Sequence, residues 1–174
     1  MFKFTKQKKN QVDKLYNTIL FLSRNKVFYS KFCLNDTFQN RISLIFLHIS
    51  FLFIKLKQKN KNELYKSFSQ LMFDLIFKKI ELNMREIGYG DTFVNNKMKL
   101  LVKTFYNILL SCENYGEKSL KSKYSFLLKY LILNDDKNCI SNIGVVTYFD
   151  KYQAFCFDLS LDSVLKGDLN FNYK

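Results

Sequence analysis

His48 is the only histidine of the 174-residue chain, so a Cys-His or Ser-His nucleophilic pair, or an imidazole metal site, would have to rest on it. It stands in the most apolar stretch of the sequence, Ile42 to Ile54, where a hydrogen-bonded core or groove histidine is expected instead of a ligand. Cys33, Cys112, Cys139 and Cys156 show none of the short spacings that close a zinc site or a redox dithiol; they are expected to be reduced and partly buried. Asp135 and Asp136 are adjacent in a polar stretch, whereas carboxylates that share acid-base work converge on a cleft. Gly88-Tyr89-Gly90 has no preceding strand, no third glycine and no Lys-Ser/Thr, so it does not cradle a phosphate. These residues predict a protein that binds, without catalysis, cofactor or metal.

The glycine pair belongs to a denser run, Asn83-Met84-Arg85-Glu86-Ile87-Gly88-Tyr89-Gly90-Asp91, which has the chemistry of a structured corner between two helices. Gly88 or Gly90 can take the positive φ that ends a helix, and Asp91 offers an oxygen to the free N–H groups of the next one. Arg85, Glu86 and Asp91 either hold the corner by ion pairs or present charge to a partner.

The elements that position these residues read as helices. Val12, Leu15, Tyr16, Ile19, Leu20 and Leu22 recur at the three-and-four spacing of one apolar face. Asp36 and Gln39 have the spacing of a capping box, and the stretch from Ile42 to Leu56 is apolar nearly all round, which places this helix centrally. Lys55 to Asn62 is a basic connector. A third helix carries Leu64 to Ile76 into the corner, a fourth runs from Met98 to Cys112, and a fifth from Leu120 to Leu131. Between Ile143 and Leu161, Val145 to Phe149 also suit a strand. A short last helix ends at Lys166-Gly167, followed by an extended tail, Asp168 to Phe171, packed on the bundle.

Composition bounds the rest. With 48% hydrophobic residues and 19 Phe, one domain of this length builds its core without staples. The longest apolar run falls short of the ~20 residues that a spanning helix needs. A formal charge of +13 is concentrated before Leu133, in a basic arm over residues 1–10, in the connector, and at Lys97, Lys99 and Lys103. Such a field attracts polyanions, either RNA or anionic lipid headgroups, over a Debye length of ~8 Å. The basic start lacks the apolar stretch of a signal peptide. A bacterial cytoplasmic protein, peripheral at the inner membrane, is expected, with the mitochondrial matrix as the alternative.

The corner run, followed by Val94, Lys97-Met98-Lys99 and Phe105-Tyr106, resembles the ubiquinol-cytochrome c chaperone family, the assembly factors of respiratory complex III. An upstream block agrees, with Ser23-Arg24, Phe28-Tyr29, Asp36-Thr37, Arg41 and Leu47-His48, and the resemblance extends from about Leu15 to Phe171. Asn95 stands where relatives carry Pro, and Asn107-Ile108 where they carry Gly-Arg, so no role of that arginine transfers. The resemblance implies an all-α, single-domain bundle of about six to seven helices over residues 11–174, with helix at 143–161. It also implies a chaperone that binds newly made cytochrome b and assists assembly of the ubiquinol-cytochrome c reductase complex. Mitochondrial relatives imply contacts with the ribosome and a small partner protein. Arg85, Glu86, Gly88, Tyr89, Gly90, Asp91, Lys97, Lys99 and Lys103 are the candidate partner-binding residues. Phe46, His48, Phe53, Met72 and Phe105 are candidates for an adaptable groove that shields an apolar client helix from water. A general RNA- or ribosome-binding helical protein is the alternative.

Overall fold

The computed structural model describes residues 2–57, 63–134 and 143–173. In chain order they form α1 (Phe2–Ser23), the single turn α2 (Val27–Ser30), α3 (Phe38–Lys57), α4 (Glu63–Glu86), α5 (Asp91–Glu113), α6 (Leu120–Leu128), α7 (Ile143–Asp158) and α8 (Leu161–Lys166). The architecture is all-α, and the extended pairing among the described residues is one antiparallel bridge between Leu34 and Leu133.

The all-round apolarity of α3 has the consequence expected of it. Every residue from Ile42 to Leu52 is buried, and the helix packs against α1, α4, α5, α7 and α8. A helix with no polar stripe cannot face water, so its neighbours must enclose it. α4 and α5 form an antiparallel pair in which Phe77 and Phe105 meet at 5.9 Å, and both rings pack on Phe46 of α3, at 5.5 and 5.3 Å. Each ring so enclosed contributes about 1.5–3 kcal/mol by leaving water.

The buried polar side chains of α3 are paired, whereas the hydroxyl of the core residue Tyr115 has no hydrogen-bond partner among the described residues. Asn40, fully buried at the start of α3, donates to the carbonyls of Asn35 and Ile132 at 2.7 Å each and accepts from the Ile132 N–H at 2.8 Å. One amide thus holds the loop before α3 against the segment after α6. At the other end of the chain, Gly167 takes φ +71 to close α8. A Cβ there would lie 2.9 Å from the Leu15 backbone nitrogen, so glycine also permits the close approach to α1. The tail packs as anticipated, with Phe171 against Tyr148, Tyr152 and Phe155.

Local expectations are corrected at several points. Thr37 takes the capping position at α3, accepting from the Asn40 N–H at 3.2 Å, while Asp36 is drawn into a two-pronged pair with Arg41 at 2.7 and 2.8 Å. Gly90 precedes α5 with extended backbone and no side-chain cap, and Asp91 is the first helical residue. α5 therefore starts at the expected cap position itself, and Asn95 lies inside it. α6 stops at Leu128. Helix, not strand, forms from Ile143. Residues 2–10, read as an arm, lie within α1. The expectation that all cysteines are reduced fails at Cys33, which is disulfide-bonded. Linear spacing is silent on such pairing because the bond depends on distance in space. Cys112 and Cys156 are free and buried, and burial pushes the Cys156 thiol up to about 12 and Cys112 higher still. Cys139, Asp135, Asp136, Lys59 and Lys61 lie outside the described residues.

Candidate functional site

The corner is a turn locked by charge. Gly88 adopts φ +98, and its N–H and that of Tyr89 bond back to the carbonyls of Arg85 and Met84 at 3.0 and 3.2 Å. Arg85 reaches in two directions, to Glu81 one turn earlier at 3.0 Å and across the turn to Asp91. Both carboxylates stabilise the charged guanidinium, Asp91 most, and raise its already high pKa. Arg85 and Asp91 thus hold the corner, and their charges are largely spent on each other. Tyr89 and Phe93 remain half exposed and stack on one another, 4.6 Å apart and 25° from parallel.

Glu86 and Asn83 turn toward a cleft of about 290 Å³ between the ends of α1 and α4 and the start of α3. Ser23, Arg24 and Arg41 line its other side. Two blocks far apart in sequence therefore meet here, which no spacing in the chain shows.

Lys97, Lys99 and Lys103 stand along α5. Lys99 and Lys103 are exposed, Lys97 partly so, and none has an ion-pair partner among the described residues.

The proposed groove residues divide. Phe46, His48 and Met72 are completely buried, with no surface for a partner to touch. Phe53 and Phe105 line a groove of about 450 Å³ between α3, α4 and α5, together with Tyr65, Phe73, Tyr106, Leu109 and Leu110. Phe105 forms its floor, while Tyr106 and Leu110 are more than half or about half exposed, at 62% for Leu110 and 50% for Tyr106. One end is closed by the Lys57–Glu113 ion pair at 2.5 Å. The sequence reading missed Tyr106 and Leu110. Their signal is an apolar pair at i and i+4 that lies off the buried stripe Leu101, Phe105, Ile108 and Cys112.

His48 is held at both ring nitrogens. Nδ1 lies 2.6 Å from the Leu44 carbonyl, which only accepts, so Nδ1 carries the proton and Nε2, 2.8 Å away, accepts from the Tyr148 hydroxyl. The Tyr152 hydroxyl donates to the His48 carbonyl at 3.3 Å. Burial lowers the imidazole pKa to about 4, so the ring is neutral near pH 7. It is a core group with its bonding capacity used. Among the described residues, no three His, Cys, Asp or Glu side chains gather in a way that could hold a metal.

The comparisons agree with this architecture. The crystal structure of the Cbp3 homolog from Brucella abortus superposes with a TM-score of 0.82 at 23% identity, covering 98% of this chain and 93% of that one, a likeness of fold. No curated protein sequence matches the chain. The family model described as Ubiquinol-cytochrome C chaperone matches residues 30–171, a span that holds the corner, the lysines of α5 and every residue of the aromatic groove, and the chain belongs to that family.

Proposed function

We propose that this member of the ubiquinol-cytochrome c chaperone family binds newly made cytochrome b and assists assembly of the ubiquinol-cytochrome c reductase complex without catalysing a reaction. The groove between α3, α4 and α5 carries the reading. Its walls combine the polar side chains Lys57, Lys66, Ser69, Gln70 and Glu113 with aromatic and leucine side chains that leave water only in part. An apolar client segment laid along it would complete their burial, at about 25 cal/mol for each Å² removed from water. That gain is reversible, as a chaperone requires. The net charge of +13 supports the additional contacts that the family resemblance implies, with the ribosome and a small partner protein.

A photo-crosslinking residue placed at Tyr106 in growing cells tests the client. A covalent adduct with cytochrome b is expected, together with loss of the assembled reductase, but not of bulk translation, when the gene is deleted. Adducts to unrelated proteins only, or a general loss of translation, would favour the ribosome-binding alternative.

A further inference from the structure

The half-exposed Tyr89–Phe93 stack does not lie on the groove or in the Arg24–Arg41 cleft. It continues along α5 to Leu100, which stands two helical turns from Phe93 on the same side, 54% exposed. Lys97 lies between Phe93 and Leu100, and Lys99 and Lys103 follow one turn apart beside them. At the corner Arg85 is shared between Glu81 and Asp91, which leaves that trio one negative charge in excess, so the positive field of this side begins at Lys97. What the outer side of α5 presents is therefore apolar side chains set among unmatched positive ones.

We infer that the outer side of α5, with Tyr89, Phe93 and Leu100 among Lys97, Lys99 and Lys103, docks the protein on an anionic lipid bilayer. Aromatic rings suit the boundary between headgroups and acyl chains, because one face or edge is apolar while a phenol stays in the polar layer. Lysine stems lie along the same boundary and place their ammonium groups against phosphates. Nucleic acid would use the same charges, but it stacks bases on open ring faces. Tyr89 and Phe93 already use one face each on the other, and Leu100 offers no ring at all. Lipid fits the pattern better.

The full chain is mixed with vesicles of phosphatidylcholine alone and with vesicles of phosphatidylcholine and phosphatidylglycerol in equal amounts, and bound protein is read by co-sedimentation as salt is raised. Wild type is expected to bind only the anionic vesicles and to be released by salt. Each lysine near such a surface contributes about a fivefold gain, so Lys97→Gln, Lys99→Gln and Lys103→Gln together should weaken binding by about 100-fold. All the altered side chains are at least partly exposed, so circular dichroism and thermal unfolding should match wild type and exclude misfolding. The chain has no tryptophan, so Tyr89→Trp supplies a single reporter, and its emission should shift to the blue on anionic vesicles. Equal binding to both vesicles, unchanged binding of the triple variant, or binding without the shift would each overturn the assignment. So would retention by ribosomal RNA in the absence of any vesicle binding. None of these readouts involves cytochrome b, so a failure here is distinct from failure of the client reading.

Discussion

The Nε2 atom of His48 lies 2.8 Å from the hydroxyl of Tyr148, a residue 100 positions away in the sequence, and this bond joins the central helix α3 to α7 inside the core. With Nδ1 given to the Leu44 carbonyl, the neutral ring has both nitrogens satisfied, and Phe28, Phe149 and Tyr152 pack around it.

That arrangement makes stability depend on pH. The unfolded chain binds a proton at His48 near pH 6.5, whereas the folded site resists it until about pH 4. Between these values the unfolded state holds more protons, so stability is complete above about pH 6.5 and declines as pH falls, by about 3 kcal/mol in total. Urea unfolding at a series of pH values checks this. In His48→Phe, the part of the decline between pH 6.5 and 5, above the main carboxylate range, should disappear.

Asn40 is the second buried polar anchor. Asn40→Ala leaves two carbonyls and one N–H without partners, and a cost of about 3 kcal/mol is expected. Asn40→Asp should cost more, because it turns acceptor atoms toward the carbonyls of Asn35 and Ile132. Equal stability of the two variants in urea would show that donor geometry at this site is immaterial.

The two glycines of the corner should separate. No atom lies within 4 Å of a Cβ built on either, so any cost is one of backbone conformation alone. Gly88 holds φ +98 and Gly90 φ −69. Gly88→Val is therefore expected to lose about 1–3 kcal/mol, whereas Gly90→Ala stays within about 0.5 kcal/mol of wild type. Thermal unfolding of both variants distinguishes a turn held by conformation from one held by packing.

The free thiols offer a chemical check on burial. Cys112 and Cys156 are shielded and hard to ionise, because burial raises the thiol pKa of each. Neither should be alkylated by iodoacetamide at neutral pH in the native protein, and both should be after denaturation, as read by peptide mass mapping. Modification of either in the folded state would show that the core opens locally.

The corner was legible because its signals are local, a glycine free to adopt positive φ and the pair Arg85 and Asp91 on either side of it, but Glu81 takes the place in the ion-pair network that was expected of Glu86. The groove was legible only in part. Phe53 and Phe105 could be named as aromatic residues on apolar helices, but the same reasoning also selected Phe46, His48 and Met72, which the fold encloses. An apolar side chain at helical spacing reads the same whether a neighbouring helix or open solvent lies beyond it. The capping assignments at Asp36 and Asp91 failed for a related reason, since Arg41 and Arg85 compete for those carboxylates once the chain turns back.

Periodicity and composition by themselves determined that the chain is helical, that α3 is central, and that the Asn83–Asp91 run is a corner. Those properties follow from interactions between residues within a few turns and from the need of apolar surface to leave water. Tertiary structure alone decided which aromatic rings stay open between α3, α4 and α5, and that Arg24, Arg41 and Glu86 line one cleft. It also decided that His48 bonds to Tyr148, and that Asn40 secures two loops at once. Each of these depends on distances between segments far apart in the chain, and such distances are set only when the helices pack.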